Sequence, residues 1–79
     1  MGGRDEPFLD FVEFDRGRHR TRRFRVKHVE GEELGVVKWH SPWRRYAFFP
    51  GADTLYDGSC LHELTTFIDQ LMHEREEGS

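Results

Sequence analysis

A chain of 79 residues has room for one domain with one small core, and such a chain is only marginally stable. Aromatic residues make up 14% of the sequence, which argues against disorder, while a net charge of −3 disfavours a generic nucleic-acid-binding domain. A single cysteine excludes an internal disulfide, and no apolar run approaches the roughly 18 residues of a membrane span. We therefore expect a cytoplasmic protein without membrane contact.

The first half of the chain predicts a tail followed by strands. Residues 1–7 are expected to form a flexible tail, residues 8–75 a single domain and residues 76–79 a second flexible tail. The apolar run from Phe8 to Phe14 could be a strand or a short helix, and its aromatic and β-branched residues favour a strand. The strict alternation from Arg22 to Val29 predicts a half-buried strand.

Two more strands are separated by turns. Residues 30–33, with the sequence Glu-Gly-Glu-Glu, predict the first turn, and a strand from Leu34 to Trp39 follows it. The second turn is predicted from His40 to Trp43, because it contains a proline that is barred from a central ladder position. The last strand then extends from Arg44 to Phe49.

The C-terminal part of the chain predicts an amphipathic helix. Ser59 is a candidate N-cap, and Asp57 lies close enough to favour the positive end of the helix dipole. The apolar stripe at helical spacing consists of Leu61, Leu64, Phe67, Ile68, Leu71 and Met72. Strands followed by a helix predict an α+β fold, a three- or four-stranded antiparallel meander with the helix packed on one face.

Turn lengths predict which residues share a face of the sheet. Four-residue turns place Arg25 opposite Lys38, Val37 opposite Tyr46, and Gly35 opposite Phe48. The apolar face, which is expected to receive the helix, carries Phe24, Val26, His28, Gly35, Val37, Trp39, Arg44, Tyr46 and Phe48. The cationic face carries Arg23, Arg25, Lys27, Val29, Leu34, Val36, Lys38, Arg45, Ala47 and Phe49.

The cationic face is the candidate binding surface. Seven cations and no acid lie between Arg16 and Lys27 in a chain that is acidic as a whole, and the repulsion between Arg25 and Lys38 calls for an anion. That anion is either a ligand or the carboxylates of Asp10, Glu13 and Asp15, and a third interpretation is a merely solvated surface. The predicted ligand-binding residues are Arg23, Arg25, Lys27, Lys38, Trp43, Arg45 and Phe49.

Motifs for catalysis are absent from the sequence. There is no Gly-rich phosphate loop, nucleophile elbow or Cys-x-x-Cys pair. Cys60 at the start of the helix could have a lowered thiol pKa, but a cysteine more often packs as a small buried hydrophobe. We therefore predict no catalytic residue, no metal site and no cofactor.

One pattern of the sequence resembles a known group of proteins. It contains a Leu-Gly, a Trp, a Trp-Arg-x-Tyr-x-Phe-x-Pro stretch, a Thr-containing loop and a Cys-Leu that opens the helix. The matching residues are Leu34, Gly35, Val37, Trp39, Trp43, Arg44, Tyr46, Phe48, Pro50, Thr54, Cys60, Leu61, Phe67 and Ile68. In this pattern, residues 20–73 resemble short, largely uncharacterised proteins of bacteria and their phages, which usually lack the segment from Phe8 to Asp15. The resemblance implies a phage or mobile-element origin, where small non-enzymatic proteins often block or sequester components of host defence.

We expect a small non-enzymatic binding protein that sequesters an anionic, nucleotide-like ligand or nucleic acid, acting against host defence. The aromatic surface left over at Trp43 and Phe49 also predicts a homodimer. The alternative is a protein-interaction module, or inhibitor, that docks on a host protein by its sheet edge or its helix. An enzyme that uses Cys60 or a histidine is the third interpretation, and no motif supports it.

Overall fold

The strands and the helix follow one another in the order that the sequence patterns predict. The computed structural model describes residues 8–15 and 21–78, with side chains described up to residue 76. The elements are β1 (Leu9–Phe14), β2 (Arg23–His28), β3 (Glu33–His40), a 3-10 turn (Ser41–Trp43), β4 (Arg45–Pro50) and α1 (Gly58–Gly78). The strands form one antiparallel sheet in the order β1-β2-β3-β4, and α1 packs on one face of it. The predicted α+β meander is confirmed, and the first apolar run is a strand.

Of the two predicted tails, the structure describes only the one at the C-terminal end, up to residue 78. The predicted N-terminal tail, residues 1–7, lies outside the described residues, and so do residues 16–20 with three of the seven clustered cations. At the other end, α1 continues to Gly78 and so includes most of the segment 76–79 that was expected to be a flexible tail. Within the described residues, no helix combines the length and the apolar character that crossing a membrane requires.

The core lies between the sheet and α1. Its buried side chains are Leu9, Phe24, Val26, Leu34, Val37, Tyr46, Cys60, Leu64 and Leu71. Phe67 of α1 contacts two strands of the sheet. Its ring stacks on that of Phe11 of β1 with 3.9 Å between ring centroids. It also meets Phe24 of β2 edge-to-face at 4.8 Å. Such aromatic pairs add to the stabilisation from buried area, which matters in a core this small.

The start of α1 differs from the prediction in two respects. The side chain of Asp57, not that of Ser59, caps the helix, since its Oδ1 accepts a hydrogen bond from the backbone N–H of Cys60 at 2.9 Å. Leu61, which was predicted to belong to the apolar stripe, is 51% exposed. Cys60 is buried in its place and forms the first position of a stripe that continues with Leu64.

The register of the sheet is two residues away from the prediction. Arg25 lies opposite Val36 and not Lys38. The turn between β2 and β3 consists of residues 29–32 and not of the predicted residues 30–33. The turn before β4 contains Arg44, which has a left-handed φ of 57° and was wrongly assigned to the apolar face. A shift of two residues preserves the faces, since side chains alternate with a period of two. A register irregularity beside Val26 changes this alternation, so that Leu34 is buried in the core and not on the cationic face.

A phenyl ring covers the glycine of β3. Gly35 lies opposite Pro50 in the register, and not opposite Phe48 as predicted. The ring of Phe48 nevertheless lies diagonally over Gly35, so close that a Cβ there would meet two ring carbons at 2.9 Å. The same Cβ would collide with the carbonyl oxygen of Phe49. Only glycine fits at this position, which explains its place in the middle of a strand.

Side chains of α1 also occupy a backbone donor on each edge strand. At β1, the carboxylate of Glu63 accepts hydrogen bonds from the N–H of Leu9 at 3.0 Å and from the N–H of Phe8, the residue before the strand, at 2.7 Å. On β4, Met72 Sδ accepts a hydrogen bond from the N–H of Tyr46 at 3.4 Å. The helix therefore closes both edges of the sheet in part, in addition to covering one face.

Candidate functional site

The face of the sheet turned away from α1 carries six of the seven predicted binding residues. We call it the open face, because no described element packs on it. Strand alternation and register assign to it Asp10, Val12, Phe14, Arg23, Arg25, Lys27, Glu33, Val36, Lys38, His40, Arg45, Ala47 and Phe49. The seventh predicted residue, Trp43, lies in the 3-10 turn beside this face. Phe14 and His40 complete the set of rings, and the prediction omitted them because it placed β1 on neither face and began the turn at His40.

One end of the open face is balanced in charge. Lys27 has Asp10 as its cross-strand partner on β1 and Glu33 as its partner on β3. A cation between two acids has little positive potential to offer a ligand. Lys27 is therefore the least suited of the predicted binding residues, and the positive charge is concentrated towards the turn between β3 and β4.

Two cations in the middle of the open face rest on aromatic rings. The guanidinium of Arg25 lies 5.2 Å from the ring centroid of Phe14, and the Lys38 ammonium lies 4.8 Å from that of Phe49. Within the described residues, neither cation forms an ion pair with a carboxylate. Cation–π contacts hold both side chains in place while leaving their positive charge uncompensated.

Neutralisation by the acids of β1 is only partial. Asp15 does lie near the open face, where its carboxylate is 3.7 Å from the guanidinium of Arg23. Both side chains are about one-third exposed, so the pair is weak and screened by salt. Glu13 contributes nothing to the open face, because it lies opposite Phe24 on the helix side.

Arg22 belongs to the cation run of the sequence but supports the fold. Its guanidinium donates two hydrogen bonds to Glu13, at 3.0 and 2.9 Å, and one to Glu74 of α1 at 2.8 Å. It also lies over the ring of Phe24, and the hydrogen bonds to Glu13 raise its pKa further above the ordinary range. The backbone N–H of Arg22 donates to the hydroxyl of Tyr46. Arg22 thus ties β1, β4 and α1 together.

The turn before β4 exposes an indole ring. Trp43 is 65% exposed and meets His40 edge-to-face, with ring centroids 4.8 Å apart. His40 meets Phe49 in turn at 5.6 Å, so three rings follow one another from the turn onto the open face. A shallow depression of about 340 Å³ is lined by Trp43 and Arg45. This arrangement places an exposed ring beside an exposed cation.

The remaining groups that could do chemistry are poorly placed for it. Burial raises the pKa of the Cys60 thiol, which opposes the lowered value that its position at the helix start suggested. Cys60 is a free cysteine whose side chain is buried in the core. In residues 8–15 and 21–78, no three His, Cys, Asp or Glu side chains come close enough together to hold a metal ion.

Comparison with known proteins finds one phage relative. The chain is 32% identical over 78 residues to an uncharacterized 9.3 kDa protein of Acholeplasma phage L2. The match covers 98% of this chain and 100% of the relative, so it extends across β1, which the resemblance predicted to be usually missing. No family model and no solved structure matches the chain.

Proposed function

We propose that this chain, which belongs to the same family as the uncharacterized 9.3 kDa protein of Acholeplasma phage L2, is a phage-type binding protein without catalytic activity. Its ligand is an anion with nucleotide chemistry, either a nucleotide-like molecule or a nucleic acid. The observation that supports this function is the mixture of cations and rings on the one face of the sheet that α1 leaves open. Phosphates are attracted by such cations, and bases stack on such rings.

The contacts of Arg25 and Lys38 favour binding of an anionic ligand over a surface that is merely solvated. Arg25 and Lys38 are held by rings, so a phosphate can approach them without first breaking an ion pair. The chain as a whole carries a net charge of −3, which makes a local concentration of positive charge costly unless an anion meets it. Binding without catalysis is favoured because the thiol of Cys60 is buried in the core, away from this face.

The proposal is tested by titrating fluorescent ATP and a fluorescent single-stranded oligonucleotide with the protein at low salt. We expect wild type to bind at least one of them, with an affinity that falls steeply as salt increases. The double variant Arg25→Gln/Lys38→Gln is expected to lose binding while its melting temperature stays close to that of wild type. Lys27→Gln is the matched control and is expected to weaken binding much less than the double variant does, because Asp10 and Glu33 keep phosphates away from the end of the open face where Lys27 lies. Failure of wild type to bind either probe at low salt would overturn the proposal.

Two exposed leucines near the helix start favour a second candidate function, docking on a host protein. Leu55 is 88% exposed and Leu61 is 51% exposed, on either side of the helix cap. The same apolar side chains are where we place the interface of a homodimer, since pairing of two copies would cover them. Light scattering should report a dimer for wild type and a monomer for Leu55→Ser/Leu61→Ser, which keeps oligonucleotide binding. A monomeric wild type at high micromolar concentration would refute the homodimer.

The proposed setting is the cytoplasm of a bacterial host, where the protein sequesters a nucleotide-like molecule or nucleic acid that host defence uses. The phage relative supports this origin, and a free cysteine is typical of a reducing compartment. Native mass spectrometry of the protein purified from infected cells would detect a retained ligand as added mass. A protein that retains nothing, even at low salt, would count against sequestration.

A further inference from the structure

We infer that the ligand of the open face is a single strand of nucleic acid several nucleotides long, with a base stacked on Trp43, and not a free nucleotide. This inference rests on the proposed function and specifies the class of ligand that the same surface takes. Three features of the open face carry it: the spacing of the rings, the shallow relief of the surface and the distribution of charge.

The rings lie at both margins of the open face. Phe14 is on β1 and Phe49 is on β4, at opposite edges of the four-stranded sheet. Three intervals between strands of ~4.8 Å separate these edges by about 14 Å. The single base of one nucleotide cannot stack on rings at both margins, whereas the bases of a strand that crosses the sheet can.

The relief of the open face is too shallow for a free nucleotide. Small ligands bind in clefts that cover most of their surface. The depression at Trp43 and Arg45, about 340 Å³, is lined by only these two described residues. Another surface hollow lies on the outer side of α1, where Asp69 and Glu74 would repel phosphates. A polymer does not need an enclosed cavity, because its affinity is the sum of many shallow stacking and phosphate contacts.

Trp43 is the ring best placed to stack with an unpaired base. It is 65% exposed, and His40 meets it edge-to-face, which orients the indole. Arg45 lines the same depression and is exposed, so it can meet the phosphate next to a base that stacks on Trp43. From there, His40 and Phe49 continue the row of rings onto the sheet.

The distribution of charge limits the path of the strand. Asp10 and Glu33 flank Lys27 at the far end of the face and would repel phosphates there. Arg23, Arg25, Lys38 and Arg45 lie between that end and the turn. The backbone is therefore expected to cross the half of the open face nearest to Trp43. A duplex would not exploit the rings, because its bases are already stacked and paired, whereas the bases of a single strand are free to stack on aromatic side chains.

The experiment is fluorescence anisotropy with end-labelled oligothymidines of increasing length, with a duplex of one length and with unlabelled ATP as competitor. Affinity is expected to rise with length until the strand spans the face and then to level off. The duplex should bind more weakly, and excess ATP should not displace the strand. Trp43→Ala is expected to weaken binding about five- to hundredfold, as loss of one stacked base does, without changing the salt dependence. Lys38→Gln should instead reduce the slope of log affinity against log salt by about one.

Controls separate this inference from the proposed function. Trp43→Phe keeps a stacking ring and should restore most of the affinity that Trp43→Ala loses. Affinity independent of length, or equal for ATP and the strands, would overturn the inference and leave the proposed function standing. Displacement of the strand by polyglutamate as effectively as by a second oligonucleotide would show that the face recognises charge alone, and would also overturn it. Absence of binding by every nucleotide at low salt would overturn both.

Discussion

Arg22 and Arg23 are adjacent in the chain but act on opposite faces of the sheet. Arg22 bonds to Glu13 and Glu74 on the helix side, whereas Arg23 lies on the open face beside Asp15. We therefore expect Arg22→Gln to destabilise the fold and leave ligand binding intact. Arg23→Gln is the matched variant, expected to weaken ligand binding with almost no effect on stability.

The size of the Arg22 effect follows from its three hydrogen bonds. Hydrogen bonds to charged groups each contribute ~1.5–3 kcal/mol, but solvent screens the pair with Glu13 because the Arg22 side chain is 39% exposed. The bond to Glu74, whose side chain is 59% exposed, adds ~0–1 kcal/mol. We expect Arg22→Gln to lower the free energy of unfolding by about 2 kcal/mol. For a domain of this size, that corresponds to a fall in melting temperature of about 8–16 °C.

Circular dichroism melts and urea titrations of wild type and both variants provide the measurement. Arg22→Lys is a useful third variant, because it keeps the charge but loses the paired geometry, and its stability should be intermediate. An unchanged melting temperature for Arg22→Gln would show that the network with Glu13 contributes nothing. Loss of oligonucleotide binding at unchanged stability would place Arg22 on the ligand surface and refute its assignment to the fold.

Three further predictions concern the packing and the helix cap. Leu64→Ala should lower the free energy of unfolding by ~2–5 kcal/mol because its side chain is 4% exposed, and a melt within a degree or two of wild type would contradict this. Gly35→Ala should cost ~1–3 kcal/mol through overpacking, whereas Gly58→Ala, whose added Cβ meets nothing within 4 Å, should not destabilise. The hydrogen bond from the N–H of Cys60 lowers the pKa of Asp57 in the folded chain. The unfolded chain therefore binds more protons in acid, and the contribution of the cap to the free energy of unfolding is lost as pH falls below about 4. Asp57→Asn keeps the cap but removes this proton-linked loss, so urea titrations against pH should show a smaller decline; identical declines would contradict the assignment.

The faces of the sheet could be predicted from the sequence, although the pairing of its strands could not. Side chains alternate between the faces with a period of two, so Arg25 and Lys38 stay on one face when the register shifts by an even number of residues. The pairing of β3 with β4 depended on the turn at Arg44, a non-glycine residue in a left-handed conformation that carries no clear sequence signal. The irregularity that brings Leu34 into the core was equally invisible, because Leu34 fits an alternating strand on either face.

The same limit applied to the candidate site. The cations of the open face could be found one strand at a time, but the balance at Lys27 depends on its partners Asp10 and Glu33 from the two neighbouring strands. The role of Arg22 required the position of Glu74, which is 52 residues away in the chain. At the helix start, Asp57 and Ser59 are both good capping residues, and only the hydrogen bond from the N–H of Cys60 to Asp57 shows which of them caps α1.

The position of α1 over both edges of the sheet links stability to aggregation. Glu63 and Met72 occupy backbone donors at β1 and β4, and the same helix covers the core. A fluctuation that detaches α1 therefore exposes two edges that can pair with strands of other copies, together with the apolar surface that would hold such copies together. We therefore expect substitutions that loosen the docking of α1 to promote association of the chain through its sheet edges.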